Sequence, residues 1–157
     1  MAPPWQSASP HGAEGFLTAF DAFAQAVRRA RGSPVQDRDA LTLSQYALLQ
    51  PLSDRDAARV SDLAEHAAIT PSTATRILDA LDRRAIVRRA RSAEDRRGVT
   101  VTLTDLGRET LCTQDEWLRG RQRAFYSSLP TDEQELVSDL LLRLAALIDD
   151  LAAGPEA

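Results

Sequence analysis

The 157-residue chain contains no lysine; its 19 strong bases are all arginine. Arginine's planar fork suits phosphate and guanine, whereas lysine offers only a point charge. Cysteine occurs once, at Cys112, which excludes an intramolecular disulfide and a multi-cysteine zinc site within one chain. A lone cysteine among apolar neighbours in a long helical stretch reads as a small packed hydrophobe rather than a sensor. No run of about 18 apolar residues occurs, so no transmembrane helix is expected. Residues 1–13 carry neither a basic start nor an apolar core, so no signal peptide is expected, and a cytoplasmic location follows. A Gly-rich phosphate loop, a Gly-x-Ser-x-Gly elbow and a suggestively spaced His, carboxylate and nucleophile are all missing. Neither enzymatic activity nor a cofactor is therefore expected. His66 has no second ligand at metal spacing, so it reads as an ordinary surface or packed histidine.

Charge is present, but unevenly. The formal net charge is −4, which by itself does not describe a basic nucleic-acid binder. From Arg76 to Arg97, however, eight arginines stand against four acids, giving that segment about +4 and leaving about −8 elsewhere. Such segregation suits a protein that turns one face to DNA. The plain alternative is a solvated arginine-rich face.

The chain is organised around Arg59 to Leu103. Thr70 is a good helix N-cap, and Pro71 suits the first helical position, where its missing N–H costs nothing. Ala74, Ile77, Leu78 and Leu81 then recur at helical spacing and predict one apolar stripe. Ser72, Thr75, Arg76, Asp79 and Arg83 fall on the opposite side. A short helix capped by Ser61 and running to about Ala68 is predicted before it. A second helix that offers hydroxyls and an arginine from its first turns fits a recognition helix in a major groove. Its candidate DNA-binding residues are Ser72, Thr73, Thr75 and Arg76.

After the helix, Ile86–Arg91 and Val99–Thr104 predict a β-hairpin. Val99, Val101 and Leu103 alternate with three threonines, the pattern of a half-buried strand. The tip carries Asp95-Arg96-Arg97-Gly98. Arg96 and Arg97 are candidate DNA contacts there, with Arg97 in a narrow minor groove. Asp95 reads as a brace that orients Arg97, since a carboxylate facing phosphates is repelled. Ala58-Arg59-Val60 is predicted as a short third strand pairing with this hairpin.

The flanks read as helices. Residues 1–12 are rich in proline, serine and small side chains and are expected to be mobile. From Ala13 to about Arg31, Phe16, Phe20, Phe23 and Val27 keep helical spacing, and Gly32-Ser33-Pro34 stops the run. Thr42 and Gln45 predict a capping box for a helix with Leu43, Tyr46, Ala47 and Leu49 inward, limited by Pro51. Thr104 and Asp105 start a helix to about Ser127. After Leu129-Pro130, Thr131 and Gln134 predict a second capping box, followed by a leucine-rich helix from Leu136 to Leu151. That is more apolar surface than a terminal helix leaves wet. It is buried either by the chain's own helices or by a second copy.

The sequence SDLAEHAAITPSTATRILDAL followed by RRARSAEDRRGVTVTLTDLG resembles the MarR family of winged helix-turn-helix transcriptional regulators. The most specific part is Asp95-x-Arg97, the alternating strand, Leu103-Thr104 and Gly107. One position departs: relatives usually carry glycine where this chain has Ala85, just past the recognition helix. The resemblance implies a mainly α fold with a small β-hairpin wing, residues 42–104 forming the DNA-binding region. It also implies that residues 13–31 and 105–153 form helices interlocking across a two-fold axis. The function implied is that of a bacterial sequence-specific double-stranded-DNA-binding regulator, a homodimeric repressor on an inverted repeat. A small aromatic or lipophilic effector would release it, with Tyr46, Trp117 and Arg121 lining its pocket. Two alternatives stay open: a protein-interaction module on a winged-helix fold, and a sequence-neutral architectural DNA binder.

Overall fold

The computed structural model describes residues 12–32, 40–91 and 99–154. The expected mobile N-terminus, apart from Gly12, and the wing tip at residues 92–98 lie outside that description. The chain divides into two units, residues 1–114 and 115–157. In the first, α1 spans Gly12–Gly32, α2 Leu43–Leu49 and α3 Val60–His66, and α4 follows at Pro71–Arg83. Strands β1 (Ala58–Arg59), β2 (Val87–Arg91) and β3 (Val99–Leu103) form an antiparallel sheet in the order β1-β3-β2. Helix α5 (Asp105–Ser128) begins in the first unit and ends in the second, which also holds α6 (Thr131–Ala153).

The core of the first unit forms where the helical stripe meets the alternating strand. Ala74, Leu78 and Leu81 of α4, Val87 of β2 and Val101 of β3 are all fully buried. Leu48, Leu49 and Leu63 join them from α2 and α3. Burial of each such leucine contributes about 1.5–3 kcal/mol. The predicted inner side of α2 differs, because Leu43, Tyr46 and Ala47 are half-buried while Leu48 takes the core position. The Thr42–Gln45 capping box is present in both directions, at 3.1 and 3.0 Å. A 3-10 turn over Gln50–Ser53, with Pro51 in its first turn, then ends the segment. Val99, expected inward, is 40% exposed, since β3 leaves the core at that end.

Two predicted caps fail. Arg59, not Ser61, is the N-cap of α3, and the Ser61 hydroxyl instead donates to the Asp62 carboxylate at 2.9 Å. α6 starts with Thr131 already helical behind Pro130, without a side-chain cap, and Gln134 Nε2 donates to the Leu129 carbonyl at 2.8 Å. In both cases the backbone enters the helix before the hydroxyl reaches the capping position. The boundaries also move slightly. β2 begins at Val87 because Ile86 is spent on the preceding turn, and β1 ends at Arg59 because Val60 is already helical.

Both helices of the central pair end on a left-handed alanine. Ala68 has φ 52° and Ala85 has φ 55°. In each turn one N–H reaches back three residues and the next reaches back five: Ala68 to Glu65 and Ile69 to Ala64, then Ala85 to Asp82 and Ile86 to Leu81. That is the Schellman closure, with alanine where glycine is favoured. The geometry survives the departure at position 85, at a conformational cost. Beyond it, Thr104 caps α5, accepting from the Gly107 N–H at 2.9 Å while its hydroxyl donates to the Ala85 carbonyl. Gly107 is required by space: a Cβ there would lie 2.0 Å from the Ile86 carbonyl oxygen.

Opposite stability changes are expected at these two positions in thermal unfolding. Gly107→Ala should destabilise by about 3 kcal/mol, because backbone rather than a side-chain tip must yield. Ala85→Gly should stabilise by about 0.5–1 kcal/mol, the left-handed penalty less glycine's greater loss of chain entropy.

Candidate nucleic-acid interface

The exposed face of α4 starts at its cap. Thr70 Oγ1 accepts the Thr73 N–H at 3.3 Å and lies 3.0 Å from Ser72 Oγ and 2.9 Å from Thr73 Oγ1. Two hydroxyls and one backbone N–H therefore meet at the Thr70 hydroxyl at the helix entrance. Thr73 is half-buried with its hydroxyl turned onto Thr70, whereas Ser72, Thr75 and Arg76 are exposed. Arg83 is exposed on the same helix, and Arg88 on β2.

Not every arginine of the basic segment faces outward. The antiparallel register sets Val87 opposite Leu103 and Arg89 opposite Val101. Directly paired residues share a face of the sheet, so Arg89 points where α4 packs. Its Nη2 donates to the Thr75 carbonyl at 2.8 Å and its Nη1 pairs with the Asp79 carboxylate at 2.8 Å. Thr75 and Asp79 lie one turn apart, so a single guanidinium spans both. Its Nε is buried without a partner among the described residues. The Arg89 side chain is 22% exposed and Asp79 50%, so the ion pair itself contributes only about 0–1 kcal/mol. Its effect is geometric: it fixes the hairpin to the recognition helix. Arg84, at the C-cap of α4, donates to the Ala40 carbonyl at 3.1 Å. Asp95, Arg96 and Arg97 lie outside the described residues.

The three residues expected around an effector are divided between the units. Tyr46, in the first, is half-buried against the core. Trp117, 60% exposed, and Arg121 lie on the part of α5 in the second. A shallow depression of about 400 Å3 is lined by Ala85, Arg88 and Leu106 among others, and Tyr46, Trp117 and Arg121 take no part in it. Cys112, expected to be packed, is exposed in the isolated chain. His66 Nε2 lies 3.3 Å from Gln50 Oε1. Among the described residues no group of three or more His, Cys, Asp or Glu side chains is placed to hold a metal, and no helix is long and apolar enough to cross a membrane.

Of the residues that tie this surface together, Arg89 was detectable in principle. The β2 stretch Val87 to Arg91 places positions 87 and 89 on one face, so a paired register exposes Arg89 as an inward arginine in need of a carboxylate. Arg84 gave no such signal, because its partner is a backbone carbonyl 44 residues away.

A short helix, a tight turn, a second helix with a polar outer face, and a β-hairpin bolted to that helix together make a winged helix-turn-helix. Residues 41–99 match the model of the MarR family. Over those residues the chain is similar to the winged helix-turn-helix of the MarR family. Solved structures extend the likeness over most of its length. A probable transcriptional regulator from Pseudomonas aeruginosa is 27% identical, with a TM-score of 0.62 over 83% of this chain and 95% of that one. FabT of Streptococcus pneumoniae, solved in complex with DNA, is 21% identical, with a TM-score of 0.68 over 88% and 96%. PcaV of Streptomyces coelicolor, solved with its natural ligand, is 24% identical, with a TM-score of 0.65 over 93% and 98%. No curated protein matches the chain in sequence.

A double-mutant cycle checks the Arg89 brace. Arg89→Met and Asp79→Ala should be non-additive in unfolding free energy by about 0.5–1 kcal/mol. Additive effects would mean that the pair does not act as a unit.

Proposed function

We propose that the chain is a homodimeric, sequence-specific double-stranded-DNA-binding transcriptional regulator, a repressor released by a small aromatic or lipophilic effector. The observation that carries this reading is the α4 face: Ser72, Thr75 and Arg76 exposed in the first turns of a helix held rigidly against a hairpin by Arg89. Hydroxyls and a guanidinium so placed hydrogen-bond base edges when the helix enters a major groove N-terminus first. Arg96 and Arg97 are assigned to the minor groove, with Asp95 as brace. FabT has been solved with DNA and PcaV with a ligand, which fits a DNA-binding and effector-responsive role here. Tyr46, Trp117 and Arg121 are the proposed effector contacts. Such a regulator works in the cytoplasm, where a bacterial genome lies.

The dimer reading rests on apolar surface. On α6, Leu136, Leu140, Leu141, Leu147, Ile148 and Leu151 are all at least 38% exposed. On α1, Phe16, Leu17 and Phe23 are about half exposed. A lone soluble chain rarely leaves contiguous faces of this kind wet. A second copy, packed through residues 13–31 and 105–153, covers them. Two-fold symmetry then demands two half-sites one or two helical turns apart.

Selection of bound duplexes from a random library should yield an inverted repeat. Sequence-neutral binding would indicate an architectural protein, and no binding an interaction module. In titrations at several salt concentrations, Arg76→Ala should lose about 1–3 kcal/mol on the selected duplex and relax base preference. Arg97→Ala should weaken binding on selected and scrambled duplexes alike, with a shallower salt dependence, and Asp95→Ala should partly copy it. Unchanged affinity of Arg97→Ala on every duplex would remove the wing from the mechanism. A solution mass measured at micromolar concentration should give a dimer, and Leu144→Asp should dissociate or unfold it, because a buried unpaired carboxylate is costly.

A further inference from the structure

The Arg84 side chain is half-buried and reaches away from the arginines of the outer face. Its acceptor, the Ala40 carbonyl, is held on fixed backbone. Leu41, the next residue, is 2% exposed in the core, and Thr42 after it carries the reciprocal capping box of α2. On the first turn of α2, the Ser44 hydroxyl donates to the Arg31 carbonyl at 3.2 Å. That carbonyl belongs to the last turn of α1, whose final carbonyls lack helical partners. Two side-chain bonds thus meet around the start of α2: one joins the end of α1 to its first turn, and the other joins Ala40, two residues before its cap, to the C-terminal end of α4. The Arg89 brace is different, since it joins α4 only to its own hairpin.

We infer that Arg84 is a positioning residue: through Ala40 it fixes the C-terminal end of the recognition helix to the α1–α2 junction, and so sets the separation of the two recognition helices in a dimer held by α1. This rests on the dimeric reading above. Leverage makes the bond matter. The 13 residues of α4 span about 20 Å at 1.5 Å per residue. A swing of roughly 10° about its C-terminal end carries Ser72 by about 3 Å, close to the rise of about 3.4 Å per base pair along the duplex axis. An anchored end therefore keeps each recognition helix on one base-pair step, and a freed end lets it reach the neighbouring one.

The test is the spacing of half-sites. The probe is the inverted-repeat duplex that the wild-type protein selects from a random library, together with versions one base pair longer or shorter between half-sites. Each change turns the second half-site by about 35°. Wild type should lose at least about tenfold in affinity on either altered duplex. Arg84→Met should bind all three within about threefold of one another, and Arg84→Lys, which keeps a donor directed at Ala40, should restore the preference. Lowered stability alone weakens all three duplexes alike and leaves their ratio unmoved, so the ratio separates positioning from folding. Ser44→Ala cuts the other of the two bonds without touching α4; it should relax the ratio likewise, and it replaces Arg84→Met if that variant does not fold. An unrelaxed ratio in the folded variant overturns the inference and leaves the function reading standing. A wild-type protein that selects no inverted repeat overturns the function reading, and the inference with it.

Discussion

Three segments of the chain meet at the backbone of Ile86. Its N–H closes the end of the recognition helix on Leu81, and its carbonyl accepts from the N–H of Thr104. Gly107 leaves the gap that this approach needs. The exit of the recognition helix, the root of the hairpin and the start of α5 are thereby set against one another without a long side chain. A backbone junction of this kind is stiff, because no rotamer can relax it. The exposed face of α4 inherits that stiffness, since the helix that displays it and the hairpin beside it are joined through the same residue.

The large features were legible because they depend on periodicity and local chemistry. Thr70-Pro71 marks its helix start through bonds within one turn, and the alternation at Val101 and Leu103 reports a buried sheet face directly. Thr42 and Gln45 cap as their spacing implies. The same kind of signal misled at Thr131, where Pro130 takes the cap position, and at Ser61, where strand pairing of Ala58 and Arg59 sets the entry two residues earlier. In each case a neighbour's backbone restriction or pairing overrode a favourable side chain. Arg84 and Arg89 were counted with the charge of their segment because sequence gives the number of guanidinium groups but not their direction. Direction follows from register and tertiary approach.

Charge count and charge use therefore diverge in the basic segment. Among the described arginines, Arg84 and Arg89 bind inward, while Arg76, Arg83 and Arg88 face out. The inward pair shapes the surface and the outward group gives it potential. Arginine serves both purposes because its several donors can hold a carbonyl and a carboxylate at once. A lysine at position 89 would have to choose between Thr75 and Asp79, or share one ammonium between them at poorer geometry.

The two left-handed alanines have a consequence for how this surface can change over evolutionary time. Each carries an avoidable strain of order 0.5–1 kcal/mol. Ala85 also lies at the opposite end of α4 from Ser72, Thr75 and Arg76, whereas Ala68 lies in the turn just before that helix. Substitutions that alter base preference are commonly destabilising, and a marginally stable domain tolerates few of them. Here a single codon change to glycine at Ala85 supplies a compensating gain at the end of α4 remote from its exposed first turns. Specificity is thus free to drift further than the domain's present stability alone would permit.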